Sequence, residues 1–165
     1  MSVNKKGNVP TIRLDDGSIL NENVAVLSWL SQQGDQQLGH PAGTAGFYRM
    51  LNCLAFIASE LHSSLGVLFY PTPSDEVKSF LKERAEGKLK KLDELFLRDT
   101  EYLAGDKLTV ADVYCYIVLT WLPHLGLGPL EKYPAAAAFF ERIKAMPKVQ
   151  EAHKRMDTNP AKVLG

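Results

Sequence analysis

A mainly helical protein, in which a β-hairpin and one short helix precede a bundle of about five helices, is what this sequence predicts. Three observations predict it. From Thr44 onward, apolar residues recur at helical spacing, with Pro or Gly at each break. Before Gly34 lies the only strand-like alternation, folded about the turn signal Asp15-Asp-Gly17. Between Val113 and Leu122 there is no charged residue, so that helix has no solvated face and reads as the core of the bundle.

The elements follow in order. Val9-Pro-Thr-Ile-Arg-Leu14 alternates, and Ser18-Ile-Leu20 returns beyond the turn. Asn21 is placed to cap a helix from Glu22 to Gln32, with Val24, Leu27 and Leu30 on one face. Gly34 to Gly43 is a polar linker containing Pro41. A long helix is predicted over Thr44 to Leu68, from Phe47, Met50, Leu51, Leu54, Ile57, Leu61 and Leu65, and Pro71-Thr-Pro73 breaks it. Ser74 caps the next helix, with Asp75 and Glu76 in the first turn where the dipole favours acids. It runs to about Arg98, with Val77, Phe80, Leu81, Ala85, Leu92, Leu95 and Phe96 on the buried side and Lys and Glu on the solvated one.

The core helix carries its own start signal. Thr109 as N-cap and Asp112 three residues on form a capping box, and Leu108 with Val113 forms a hydrophobic staple. Pro123 is expected to stop it. It is too short for a bilayer, which needs ~20 apolar residues. After the loop Leu125-Gly-Leu-Gly-Pro129, Pro134 opens a helix through Met146, and Pro147 opens a last one to about Met156, followed by a polar tail from Asp157. The bundle is self-sufficient by pattern, whereas an isolated hairpin is marginal and needs cover.

Composition narrows the function. At 165 residues, 45% hydrophobic and 23% charged, the chain has material for one packed domain, or a small one plus a fragment. Lys+Arg and Asp+Glu are both 19, which argues against a general nucleic-acid binder. No leader at Met1 and no membrane span are read, so a soluble cytoplasmic protein is expected. Cys53 and Cys115 stand far apart in apolar helices and are expected to be free, buried thiols; no Cys/His cluster points to a metal.

Both halves resemble the glutathione S-transferase family, most closely its bacterial beta class. Asn8-Val-Pro-Thr-Ile-Arg-Leu-Asp-Asp-Gly-Ser-Ile-Leu-Asn-Glu-Asn23-Val-Ala-Val-Leu is similar to that family's VP-x-L-x-x-D-D-G-x-x-L-x-E-S-x-A-I segment. Leu103-Ala-Gly-Asp-Lys-Leu-Thr-Val-Ala-Asp112 resembles its capping-box segment, Ala58-Ser-Glu-Leu-His62 its long helix, and Tyr133-Pro134 and Met146-Pro-Lys-Val149 its closing helices. Family members begin with a strand-helix-strand unit that carries the thiol-activating Tyr, Ser or Cys, and the sequence starts after it. The resemblance therefore implies a remnant of a thioredoxin-like glutathione-binding domain over 1–34, followed by the all-helical C-terminal domain over 42–158.

The resemblance also implies chemistry: conjugation of the glutathione thiol to a small electrophile, of the detoxifying type, once the N-terminal segment is supplied. Glutathione is the expected cosubstrate, a homodimer the expected assembly, and no catalytic residue is named. The alternative is a non-catalytic binding or interaction module. Pro10 is implied to be cis, with the Val9 backbone pairing the cysteinyl part; read without the resemblance it is an ordinary trans Pro opening a strand. Glu22 and Asn23 sit at a helix start, where free amides and the dipole suit a carboxylate, and Glu22 suits the ligand ammonium; the plain reading is an acid placed for the dipole. The family has Ser or Thr where Asn23 stands. His62 aligns with a histidine near the family's glutathione; a lone helical His is otherwise structural or exposed. Ala55 stands where the class often has Asn. Tyr114, Trp121 and Phe69 are candidates to line an electrophile pocket, although their helical spacing equally reads as core.

Overall fold

The computed structural model describes residues 4–34 and 38–158. Expectations placed on the chain start and on the tail beyond 158 lie outside those residues. Two short strands, β1 (Ile12–Arg13) and β2 (Ile19–Leu20), pair antiparallel with Ile12 opposite Leu20 and Arg13 opposite Ile19. Gly17 supplies the positive φ (85°) that the turn between them needs. Helix α1 (Asn23–Leu30) follows. It starts later and ends earlier than the sequence suggests: Glu22, extended at φ −111° and ψ 130°, occupies the N-cap position in place of Asn21.

The bundle begins with α2 (Ala45–Phe69), 25 continuous residues capped by the Thr44 hydroxyl, which accepts the Phe47 amide at 3.3 Å. Its Ile57–His62 segment is a π-helical turn and its last turn is 3₁₀. Helix α3 (75–97) runs Asp75–Lys91 and then through a second π-helical turn, Leu92–Leu97, with Ser74 accepting the Val77 amide. Helix α4 (Val110–Leu119) is the core helix, followed by the short α5 (Leu122–Leu125), α6 (Pro134–Lys144) and α7 (Pro147–Thr158). Pro123 does not stop the core helix. The chain turns at Thr120 and Trp121, Pro123 lies in the first turn of α5, and Gly126 ends that helix in the left-handed region at φ 61°.

One core cluster joins α2, α3, α4 and α6, with Met50, Leu54, Ile57, Leu61, Leu65, Leu89, Leu92 and Ile143 wholly buried. By length and a mean hydropathy of 1.3, α2 has enough apolar residues to cross a bilayer, which the sequence reading did not flag. Those buried residues pack instead on neighbouring helices, as in the centre of a globular bundle. On α3 the expected buried side is wrong at three positions: Val77, Phe80 and Leu95 are exposed. Val77 and Phe80 lie in the first turns of α3 and stay exposed, although the helix packs beside the end of α2. In the π-helical turn the period widens toward five residues, so Leu92 and Leu97 face inward and Leu95 is carried out.

The capping box forms as read. Thr109 N–H and its hydroxyl donate to Asp112 Oδ2 at 2.7 and 2.8 Å, and both residues are fully buried. The sequence did not anticipate that Asp112 Oδ1 also takes the Leu103 amide at 2.8 Å, tying the preceding loop to the same carboxylate. Cys53 and Cys115 are free and buried; burial, ahead of the nearby Asp112 charge, pushes the Cys53 thiol up to about 12 and holds Cys115 well above its ordinary value. The linker is a clamp rather than a spacer. Leu38 C=O accepts the Val110 amide at 2.8 Å, Gly39 C=O accepts the Lys107 ammonium at 2.5 Å, and His40 C=O accepts Gln32 Nε2 at 2.9 Å. The His40 ring lies on Gly46, where a Cβ would meet it at 2.5 Å.

Candidate functional site

Two groups of residues meet at the seam between α1 and the bundle. The first is the corner before α1. The Val9–Pro10 peptide is cis, and Val9 is 88% exposed. Among the described residues, its main-chain N–H and C=O have no hydrogen-bond partner. The loop that presents it is laced by asparagines. Asn4 Nδ2 donates to Asn8 C=O at 2.7 Å and to Thr11 Oγ1 at 2.9 Å. Asn8 Nδ2 reaches Asn21 C=O at 3.0 Å, and Asn21 Nδ2 returns to Asn4 Oδ1 at 3.2 Å. The corner is thereby fixed without an apolar core of its own. The only sequence signal for this lacing was the Asn/Gly-rich run before Val9.

Glu22 makes no cap of its own; its exposed carboxylate is ion-paired with Lys6. It is therefore available to exchange one ammonium partner for another at little cost, because exposed pairs are worth ~0–1 kcal/mol. Asn23 is the first residue of α1, and it lies near enough to the Tyr114 phenol of α4 to oppose the rise that burial causes there.

The second group surrounds His62. The π-helical turn of α2 carries this residue toward α4, where Tyr114 Oη lies 2.7 Å from His62 Nδ1. The Trp121 ring meets the His62 ring edge-on at 4.8 Å between centroids, and Phe69 meets Trp121 at 5.5 Å. A cavity of about 540 Å³ opens there, lined by His62, Ser63, Gly66, Val67, Phe69, Tyr70 and Trp121. Burial holds the His62 imidazole below its ordinary range, so it is neutral at neutral pH. Burial likewise raises the Tyr114 phenol, against the opposing hydrogen bond from Asn23.

The predicted residues are thus sorted by the structure. His62 is bonded to Tyr114, and Asn23 lies near the same phenol. Glu22, Val9 and Pro10 stand at the adjoining corner. Phe69 is exposed and Trp121 partly buried, and both line the cavity; Trp121 and Tyr114 also pack against the core cluster, as their helical spacing suggested. Ala55 is exposed on α2 and adds no polar side chain. Chemically, the arrangement offers free main-chain groups for an extended peptide, one exchangeable carboxylate, and an aromatic chamber with a neutral imidazole.

Comparison with known proteins bears directly on this seam. Residues 59–154 match the family described as glutathione S-transferase, C-terminal domain. Glutathione S-transferase GstA of Escherichia coli O157:H7 is 37% identical over 152 residues, covering 92% of this chain and 75% of that protein. A sphingomonad glutathione S-transferase solved in complex with glutathione superposes with a TM-score of 0.87 at 34% identity, covering 96% of this chain and 78% of that one. The bacterial beta class glutathione S-transferase of Sphingomonas chungbukensis gives 0.83 at 37% identity, covering 93% and 76%.

Proposed function

The chain belongs to the glutathione S-transferase family, and we propose that it takes glutathione as cosubstrate for conjugation to small electrophiles, as a detoxifying transferase does. In this reading residues 1–34 form the glutathione-binding part and 42–158 the helical domain. The observation that carries it is the unpaired main chain of Val9 before cis-Pro10, set beside Glu22 and Asn23 and joined through Tyr114 to the His62 chamber. An extended tripeptide pairs with Val9 as one more strand does. Its ammonium displaces Lys6 from Glu22, its γ-glutamyl carboxylate meets the start of α1 at Asn23, and its sulfur faces the chamber. The thiolate is the nucleophile, and the apolar rim of Phe69, Tyr70 and Trp121 receives the electrophile.

Two measurements test this. Glutathione binding by calorimetry, with conjugation to a chromogenic electrophile, is expected for the native chain and weakened in Glu22→Ala. Equal affinity in both, or none in either, removes the assignment and favours a non-catalytic interaction module. A homodimer and a cytoplasmic location belong to the same proposal. Exposed Trp29 and Leu30 on α1, and Tyr48, Phe80 and Leu95 on the long helices, supply apolar area for subunit contact. Light scattering at micromolar concentration is expected to give twice the chain mass, and a stable monomer would discard the dimer.

A further inference from the structure

We propose that Lys6 is a specificity-determining residue: it yields Glu22 to an ammonium that brings its own carboxylate, as the α-amino acid head of a γ-glutamyl group does, and disfavours one that does not. That the ligand is glutathione rests on the function proposed above. The basis is the way the Lys6–Glu22 ion pair is mounted. Lys6 is the third residue of a turn, Asn4 to Gly7, closed by the Gly7 amide donating to Asn4 C=O at 3.3 Å, with Gly7 at φ 74°. Lys6 N–H donates to Asn4 Oδ1 at 3.0 Å, and the same oxygen accepts Asn21 Nδ2 at 3.2 Å. Asn21 is the chain neighbour of Glu22, and its C=O takes Asn8 Nδ2 at 3.0 Å. One asparagine oxygen therefore ties the main chain of Lys6 to the residue before Glu22. The two charges are 16 residues apart in sequence and meet because their backbones are held together. The mounting is particular to Lys6: its neighbour Lys5 is exposed and makes no ion pair among the described residues.

Charge counting gives the consequence. Both side chains are more than half exposed, so the pair is weak and opens readily. An α-amino acid head carries its ammonium and its carboxylate on one carbon. When the ammonium takes Glu22, the carboxylate arrives beside the displaced Lys6. One exposed pair is lost and one is made, the charges alternate from Lys6 through the ligand to Glu22, and the exchange is nearly level. An amine without a carboxylate breaks the same pair and leaves Lys6 facing a second cation, with no anion in return. An acid without an ammonium meets the Glu22 carboxylate, which repels it. The pair therefore selects the zwitterion over either half of it.

Calorimetry with two ligands tests it: glutathione, and the analogue with γ-aminobutyryl in place of γ-glutamyl, which keeps the ammonium and the thiol and lacks the carboxylate. The native chain is expected to prefer glutathione. In Lys6→Met that preference is expected to shrink about two- to fivefold, the worth of one exposed ion pair. The change should come mainly from tighter binding of the analogue, because glutathione regains in one pair what it breaks in the other. Lys5→Met removes the same charge from the same turn without touching the pair, and is expected to keep the native preference. Both lysines are exposed, so the melting temperature is expected to hold in both variants. A preference unchanged in Lys6→Met overturns the inference. So does one that shrinks equally in Lys5→Met, which would reduce Lys6 to a share of the local positive field. A native chain that binds neither compound fails the function reading and this inference with it, whereas glutathione binding with an unchanged preference fails this inference alone.

Discussion

Residues 4–34 and the bundle that follows are held together by different chemistry. In the first region Val26 is the single hydrophobic residue that is fully buried, and Val24 and Leu27 reach cover only by packing on the bundle. Its own cohesion is a two-stranded ladder and the exposed lacing among Asn4, Asn8 and Asn21. The bundle is the reverse, an apolar cluster whose principal polar investment is one buried carboxylate, Asp112. The difference shows where a ligand site can stand. Free main chain and exchangeable charges survive in the weakly packed region, and they are given fixed positions because α1 packs on the bundle through Val24 and Leu27 and the linker is clamped at Val110.

The largest effect is expected from Asp112→Ala. It leaves the buried amides of Thr109 and Leu103 without their acceptor, each worth ~1–3 kcal/mol when orphaned. A loss of about 3–5 kcal/mol over the whole domain follows, a large part of the ~5–15 kcal/mol that a protein usually has. Thr109→Ala keeps the carboxylate and should cost about 1–2 kcal/mol. Urea unfolding followed by circular dichroism checks both; an unchanged midpoint for Asp112→Ala would show that the bundle does not depend on this carboxylate.

Val26→Ala is expected to divide the two regions. It removes two buried methyl groups from α1, worth about 1–2 kcal/mol, at a residue outside the bundle's core cluster. Hydrogen exchange should quicken over α1 and the hairpin while α2 and α4 keep their protection. Uniform quickening across both regions would mean that they unfold as one unit and that the contrast drawn above is only one of composition.

What was legible in the sequence follows the same division. Helical spacing and caps gave the long helices, because burial and capping leave local signals at Thr44, Ser74, Thr109 and Asp112. The cis peptide at Pro10 came from resemblance alone; nothing local marks it. Three things left no such signal. The π-helical turn at Leu92–Leu97 shifts the phase of α3 by a fraction of a turn, so Leu95 faces water despite correct spacing. The bond from Val110 N–H to Leu38 C=O is between main-chain atoms, which any residue supplies. Tyr114 and His62 are 52 residues apart, and helical spacing does not tell a core aromatic from one that bridges two helices beside a chamber.

The smallest effect concerns acid, and it locates the seam between the two regions. Burial lowers the His62 pKa in the folded chain below its ordinary value of about 6.5, which the unfolded chain retains. Between the lowered value and 6.5 the unfolded state binds more protons, so stability rises with pH across that window. The contribution of His62 is therefore complete above about pH 6.5 and is lost as the pH falls through the folded-state value. Partial exposure of the residue keeps this below the effect of Val26→Ala. His62→Gln keeps a polar side chain beside Tyr114 but has no proton to take up. Urea midpoints measured from pH 7.5 down to 5.5 should fall further for the native chain than for His62→Gln, and hydrogen exchange at the acid end should quicken first around the π-helical turn of α2 and the start of α1. Equal falls for the two proteins would mean that His62 is no more shielded from water than in the unfolded chain, and the chamber would then be too open to hold the imidazole neutral.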